Sequence, residues 1–203
     1  MQHKLRSTID NLQERVHTHL LESAALKQQM VSVCTPSILL AAQLLADTFR
    51  AGGKVLLCGN GGSAADCQHM AGELVNCLTK TFPRPGLPAI ALTTDSSLFS
   101  AIANDFGLEY VFERQVQTLG RPGDALIGIS TSGNSANVIR AIEAAQTLEM
   151  RTIGLTGSSG KLPNLADVTI AVPSTNTQYI QEAHLAIEHI LCELVERLLF
   201  DRE

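Results

Sequence analysis

Hydrophobic positions along this chain follow two spacings, and their alternation predicts strands separated by helices. From residue 1 to about 33, apolar residues recur every third or fourth position, which indicates an amphipathic helix. Pro36 marks the start of a second helical segment, which ends at the glycines of 51–53. Beyond it, five short apolar runs predict buried strands at 55–58, 89–93, 125–129, 151–155 and 168–172. Helical patterns separate these runs, and a long final helix is predicted from about Asn176 to Leu199.

Strands that alternate with helices favour parallel pairing through right-handed crossovers. We therefore predict a doubly wound α/β fold of the flavodoxin or Rossmann type, with a five-stranded parallel sheet. The two helices that precede the first strand are additional to this unit, and we expect them to pack on the sheet or to form a subunit interface. Ligands of such sheets bind at the carboxyl ends of the strands. The polar loops 59–63, 130–135 and 156–160 all follow such ends.

The loop after the first strand is rich in glycine and contains Gly59, Asn60, Gly61, Gly62 and Ser63 in succession. Glycine permits a tight turn and a close approach of the backbone to a ligand. Ser63 is predicted to be the N-cap of the next helix, with an acidic residue three positions later as in a capping box. A dinucleotide site is a weaker interpretation, because the acidic residue that such sites carry about 20 positions later is not there.

His69 and Glu73 are four residues apart on the predicted helix that follows this loop, so they share one face about one turn above it. An imidazole and a carboxylate beside a ligand-binding loop are suitable groups for proton transfer. The alternative is an ordinary surface pair at i and i+4.

The loop after the third strand reads Ser-Thr-Ser-Gly-Asn-Ser over 130–135 and leads into a helix. Its hydroxyls, its backbone N–H groups and the helix dipole predict a phosphate site without lysine or arginine. The alternative is a serine-rich turn in which Ser135 caps the helix. The chain has no Gly-x-x-x-x-Gly-Lys-Ser/Thr motif, so an ATP-binding loop is not indicated.

Composition narrows the functional classes further. The 203-residue chain has a net charge of −5 and no basic stretch, which disfavours direct nucleic-acid binding. It contains no 18-residue apolar run, so no membrane span is expected, and residues 1–15 lack the apolar core of a signal peptide. Five cysteines without Cys-x-x-Cys spacing indicate reduced thiols in a cytoplasmic protein.

Five motifs in order resemble the SIS (sugar isomerase) fold and, within it, the bacterial phosphoheptose isomerases. They are Cys58-Gly-Asn-Gly-Gly-Ser63, His69-x-x-x-Glu73-Leu74, Asn104-Asp105-Phe-Gly107, Gly128-Ile-Ser-Thr-Ser-Gly-Asn-Ser135 and Ile180-Gln181-Glu-x-His184. The resemblance covers nearly the whole chain. It implies conversion of sedoheptulose 7-phosphate to D-glycero-D-manno-heptose 7-phosphate through an enediol, in heptose and lipopolysaccharide precursor synthesis. It also implies a homotetramer with one zinc ion per subunit. A helical segment at 1–50 and a SIS domain at 51–203 would form one structural unit.

The resemblance assigns roles to individual residues. Catalysis falls on Glu73 and His189 as the acid/base pair. The implied zinc ligands are His69, Glu73, Gln181 and His189. The implied substrate contacts are Asn60, Gly61, Gly62, Ser63, Asn104, Asp105, Ser130, Thr131, Ser132, Ser135 and Gln181.

Three questions stay open at the level of sequence. Gln181 and His189 lie about 12 Å apart along a straight helix, so their side chains must converge on a shared ion or come from different subunits. His184, three residues from Gln181, is the easier partner by spacing and is kept as the alternative histidine. A zinc-bound glutamate is a weaker base, so Glu73 is base, ligand or both.

The chain also departs from the family pattern after Leu74. Phosphoheptose isomerases usually continue with Gly-Arg and an aromatic residue, whereas this chain has Asn76-Cys77-Leu78 and a longer loop. We therefore expect an arginine near the substrate to be missing. The alternative function is a non-catalytic SIS-fold protein that associates with a replication initiator. Such relatives tend to lose the helix glutamate, so the presence of Glu73 and of 130–135 favours the enzyme.

Overall fold

The computed structural model describes the backbone of residues 2–201 and the side chains of Ile9 and of 11–201. Its five parallel strands form one sheet in the order β2-β1-β3-β4-β5, which confirms the predicted fold class. The strands are β1 (Val55–Gly59), β2 (Ala89–Ala91), β3 (Ala125–Ser130), β4 (Arg151–Thr156) and β5 (Val168–Ala171). The α-helices are α1 (Gln2–Val33), α2 (Thr35–Arg50), α3 (Gly62–Val75), α4 (Ser96–Phe106), α5 (Glu113–Leu119), α6 (Ala136–Thr147) and α7 (Thr177–Phe200). Short 3₁₀ turns lie at Leu108–Tyr110 and Leu162–Asn164.

The strand order reverses between β1 and β3, which pair in register from Val55 opposite Ala125 to Gly59 opposite Ile129. The helices that follow these two strands pack on opposite faces of the sheet: α3 belongs to the apolar cluster on one face and α6 to the cluster on the other. Chains that leave adjacent strands toward opposite faces open a crevice at the strand ends. The glycine-rich and serine-rich loops border this crevice.

The core is divided by the sheet into two layers. One layer joins α1, α2, α3 and α7 to side chains such as Leu57 and Ile127, and the other joins α4, α5 and α6 to Leu56 and Leu126. These four strand side chains are fully buried. Burial of each contributes about 1.5–3 kcal/mol to folding. Four of the five cysteines are buried as free thiols, and the fifth, Cys77, is a half-buried free thiol.

The two N-terminal helices differ in how they meet the core. Helix α2 packs against α7 and buries Ala41 and Leu45. In contrast, the apolar stripe that predicted α1 is exposed: Ile9, Leu12, Val16 and Leu20 are 56–62% exposed. Between residues 2 and 201 no single helix is long and apolar enough to cross a membrane. The segments 11–33 and 35–50 meet the criterion only as a pair bent by 70°.

The predicted start of α3 was wrong by two residues. The helix begins at Gly62, with Gly61 as an N-cap that makes no side-chain hydrogen bond, so Ser63 lies inside the first turn. The backbone at Gly61 has φ +57°, a value that favours glycine, and its carbonyl accepts hydrogen bonds from the N–H groups of Ala64 and Ala65. A glycine turn therefore replaces the serine cap.

The predicted end of α4 was also wrong. The helical pattern after β2 reaches about Ala103, and Asn104-Asp-Phe-Gly107 is the break that the sequence predicts, yet α4 continues to Phe106. The break comes at Gly107, where φ is +107° and the N–H donates to the carbonyl of Ala103. Asn104 remains in the last turn because its side chain donates to Asp105 Oδ1 at 2.8 Å instead of competing for the backbone.

Candidate active site

The glycine loop brings α3 close to the start of α7. A Cβ atom at Gly62 would collide with the side-chain amide of Gln181, so a larger residue there would displace this amide. Gln181 is half-buried in the first turns of α7. Two predicted substrate-contacting positions from distant parts of the chain therefore lie against each other.

His69, Glu73 and His189 converge at this edge of the sheet. His69 Nε2 lies 3.1 Å from Glu73 Oε1 and 3.0 Å from His189 Nε2, and His189 Nε2 lies 3.4 Å from the same carboxylate oxygen. Both imidazoles are nearly half exposed, while the Glu73 side chain is 15% exposed. The i,i+4 pair on α3 thus exists as predicted, and α7 adds a third group to it.

The donor set of this cluster fits a metal ion. His69, Glu73 and His189 are a group of His and carboxylate ligands whose donor atoms all lie within 4.8 Å of one another. Zinc binds such atoms at about 2.0–2.1 Å in a tetrahedron, which places neighbouring ligand atoms about 3.3 Å apart. The observed separations of 3.0–3.4 Å match that arrangement. Gln181 lies at the glycine loop, about 12 Å along α7 from His189, so this conformation does not bring all four predicted metal ligands together.

The structure separates the two histidines that sequence spacing left as alternatives. His184 is fully buried, and burial lowers its pKa to about 4, so its ring is neutral at pH 7. His189 is the one that lies next to Glu73. Geometry therefore favours His189 as the histidine that acts with the carboxylate.

The two oxygens of Glu73 have different surroundings. Oε1 faces the imidazoles, whereas Oε2 is buried and has no hydrogen-bond partner among the described residues. Behind them lies Glu188, which sequence reasoning missed. Its carboxyl group is completely buried, and burial, together with the charges of Asp66 and Glu73, raises its pKa to about 9. Glu188 is therefore protonated at pH 7.

The serine loop presents a preformed set of hydroxyls. Ser130 Oγ lies 2.9 Å from Ser135 Oγ and 3.5 Å from Ser132 Oγ, which in turn accepts the N–H of Asn134 at 3.2 Å. Ser135 stands at the N-cap of α6 but makes no side-chain capping bond. Because the cap does not occupy them, the first N–H groups of α6 stay available to an anion.

Packing from the next loop fixes the shape of the serine loop. Gly133 has φ +64°, and a Cβ atom there would collide with the carbonyl of Ser159. The carbonyl of Thr131 accepts the N–H of Gly157 at 3.2 Å, so the loop after β4 supports the loop after β3.

The two loops are joined by a pair of amides. Asn60 and Asn137 exchange two hydrogen bonds of 2.8 Å, each side chain donating to the other's oxygen. Asn137 lies in the first turn of α6 and is 5% exposed. Sequence reasoning missed it, although its position directly after the serine loop offered a signal.

Asn104 and Asp105 lie apart from this crevice. Both are exposed in the last turn of α4, which packs on the face of the sheet opposite α3 and α7, and they bond to each other. Their predicted substrate contact stays a prediction, since this chain alone does not bring them to Glu73.

Comparisons with known proteins agree with the fold. A family model described as the SIS domain matches residues 19–157. The chain is 50% identical over 198 residues to a phosphoheptose isomerase of Roseiflexus sp. (strain RS-1), covering 97% of this chain and all of the relative. It is similar to the structure of a phosphoheptose isomerase from Neisseria gonorrhoeae, with 45% identity, a TM-score of 0.85, and coverage of 91% of this chain and 98% of that one. The Francisella tularensis phosphoheptose isomerase gives 39% identity, a TM-score of 0.86, and coverage of 91% and 97%.

Proposed function

The chain belongs to the SIS-domain family and, within it, to the phosphoheptose isomerases, and on this premise we propose that it converts sedoheptulose 7-phosphate to D-glycero-D-manno-heptose 7-phosphate. The product would serve heptose and lipopolysaccharide precursor synthesis. The observation that supports this function most is the convergence of Glu73, His69 and His189 beside the glycine loop. An aldose–ketose isomerase needs such a carboxylate and a second proton-transfer group.

The serine loop is proposed to hold the phosphate of the sugar. Ser130, Ser132 and Ser135 supply clustered hydroxyls, and the uncapped start of α6 supplies N–H groups and the positive end of the helix dipole. The hydroxyls of Ser130 and Ser135 already face each other, so little conformational entropy is lost when an anion binds there.

Glu73 is proposed to move the proton between the two carbons. In the forward direction its carboxylate removes a proton from C1 of the ketose, which gives the enediol, and returns a proton to C2 of the aldose. His189 lies 3.4 Å from this carboxylate and is proposed to exchange protons with the sugar oxygens. Ser63, Gln181 and the amide of Asn60 border the same crevice and are proposed to orient the sugar hydroxyls.

Zinc is the proposed metal, held by His69, Glu73 and His189 with Gln181 as a fourth ligand. When bound, zinc polarises a carbonyl or enediolate oxygen. The donor atoms of the first three residues are separated by distances that suit zinc. Gln181 would have to leave its contact with Gly62, or a neighbouring subunit would have to supply it. Ligation and base chemistry would both use Glu73 Oε1, so the two roles compete for one oxygen.

The function is tested by incubating the purified protein with sedoheptulose 7-phosphate in D₂O and following the products by NMR. We expect the mannoheptose 7-phosphate to form and to carry deuterium at C2, because an enediol intermediate allows exchange with solvent. Turnover without any deuterium would mean that the transferred hydrogen does not exchange with solvent, as in a hydride shift or in a fully shielded transfer by Glu73. No turnover by folded, zinc-supplemented protein would contradict the function itself.

The chain is also proposed to assemble as a homotetramer. The observation behind this is the exposed apolar stripe of α1, which a second copy would cover. Light scattering at micromolar concentration should then give about four times the 21.8 kDa mass of one chain. A monomeric mass would contradict the assembly.

A further inference from the structure

The guanidinium group of Arg84 is buried behind the candidate active site. Its side chain is 0% exposed, and its Nε donates to Glu196 Oε1 at 2.8 Å. Its two terminal nitrogens donate to the carbonyls of Glu73 and Leu74 at 2.8 and 2.7 Å, and one of them also donates to the carbonyl of Pro85. Every nitrogen of the guanidinium is thus engaged within the protein, which leaves none for a substrate.

These contacts join the two helices that carry the catalytic pair. Glu73 and Leu74 lie at the carboxyl end of α3, where carbonyls have no partner inside the helix. Arg84 supplies donors and a positive charge to that end, which is the favourable sign for the helix dipole. Glu196 lies on α7, two turns beyond His189, and also accepts the N–H of Leu78 at 3.0 Å.

We infer that Arg84 and Glu196 form a positioning pair that sets the distance between Glu73 and His189. This inference rests on the proposed function, because it concerns the geometry of the proposed acid and base. The planar guanidinium holds a helix end with one edge and a carboxylate with the other, a fixed geometry that lysine cannot reproduce. Arg84 acts through Glu73 and does not itself contact the sugar.

The test compares four variants with the wild type. Arg84→Met alone leaves Glu196 charged and buried and can unfold the protein. The double variant Arg84→Met/Glu196→Gln removes both charges and keeps the side-chain volumes. Arg140→Met is the matched control, because Arg140 also binds a carboxylate through Nε, that of Glu113, but does so at the other face of the sheet.

We expect the double variant to fold and to lose about 100-fold in kcat, since a displacement of about 1 Å costs that much. KM should stay unchanged because the serine loop is untouched, and its crystal structure should show the Glu73–His189 separation widened beyond 3.4 Å. Arg84→Lys should recover only part of kcat, and Arg140→Met should match the wild type. A pair that is only structural would lower the melting temperature and leave kcat per folded enzyme and the separation unchanged, which would overturn the inference.

The crystal structure makes this test independent of the proposed function. If the wild type fails to turn over sedoheptulose 7-phosphate, the function is wrong, while the separation in the double variant still decides the role of Arg84. A widened separation supports positioning, and an unchanged one refutes it.

Discussion

The serine loop and the histidine–glutamate cluster lie at the same edge of the sheet but are encoded in different ways. The serine loop is complete within residues 130–135, between one strand and one helix. In the cluster, His69 and His189 are 120 residues apart and meet only because α3 packs on α7. The serine loop therefore depends on its own residues and on the neighbouring loop after β4, whereas a site between helices depends on the whole core.

The largest effect is expected at the cluster. Glu73→Gln keeps an oxygen donor and a similar volume but cannot accept a proton, so kcat should fall by about 10²–10⁴. Binding of the sugar phosphate should remain, because the serine loop is intact. Solvent exchange at the substrate carbon and zinc content are measured together. If Glu73→Gln keeps its zinc but loses solvent exchange at the substrate carbon, Glu73 is the base. If adding zinc restores turnover to the variant, Glu73 is a metal ligand.

Glu193→Gln is the control for this comparison, since Glu193 is an exposed carboxylate on α7 one turn beyond His189. It should retain wild-type kcat. Full activity in Glu73→Gln would remove Glu73 from both proposed roles.

A smaller effect, on binding, is expected at the serine loop. Ser132→Ala and Ser135→Ala each remove a hydrogen bond to a charged phosphate, worth about 1.5–3 kcal/mol, so KM should rise by about 10- to 150-fold. Turnover at saturation should change little. Ser100→Ala is the control, because the Ser100 hydroxyl donates to the carbonyls of Ser96 and Ser97 within α4 and lies outside the serine loop. Unchanged KM in both loop variants would place the phosphate elsewhere.

Sequence patterns predicted the fold well because its two central strands are fully buried. The runs that became β1 and β3 are buried at every position, so no alternation was needed to recognise them. The errors in the predicted secondary structure lie at helix ends, where the φ angle of one residue determines the boundary. At Gly61 and Gly107 a positive φ sets the helix boundary, and neither the Ser63 cap nor the Asn104 break could be distinguished from it by residue type.

The local features of the candidate site could be predicted from the sequence, but its long-range contacts could not. The hydroxyls of 130–135 and the spacing of His69 and Glu73 are local features that the residues themselves indicate. The pairing with His189 came only from the family resemblance, because spacing alone favoured His184. Asn137 and Arg84 act through contacts over 77 and 112 residues, which no local pattern encodes.

The pH dependence of stability tests whether His184 is a buried structural histidine, as opposed to His189 at the candidate site. His184 has a pKa lowered by burial to about 4, below its usual 6.5, so the unfolded chain takes up a proton first as pH falls. The contribution of His184 to stability is therefore fully present above about pH 6.5 and is lost toward pH 4, by at most about 1.4 kcal/mol per pH unit. Burial raises the pKa of Glu188 to about 9, which gives a slope of opposite sign over the same pH range, so the His184 slope is read as the difference between the wild type and His184→Leu in urea unfolding at several pH values.

His17→Asn is the control, because His17 is exposed on α1 and should leave the slope unchanged. At neutral pH, His184→Leu should retain turnover while His189→Leu loses it. The opposite result would make His184 the working histidine despite its burial.

The smallest effect is expected where the two regions meet. Asn60 and Asn137 connect the glycine loop, which leads into α3, to the first turn of α6 after the serine loop. Asn137→Ala removes both hydrogen bonds and leaves the Asn60 amide unpaired, which should cost about 0.5–1.5 kcal/mol and lower kcat/KM by about 2- to 10-fold. Because the two amides bond to each other, the double variant should lose no more than Asn60→Ala alone, and Asn60→Ala should lose more than Asn137→Ala by the amount of its proposed contact with the sugar. Additive losses would instead mean that the two amides act independently, and the serine loop and the histidine–glutamate cluster would then be separate sites that share only the sheet.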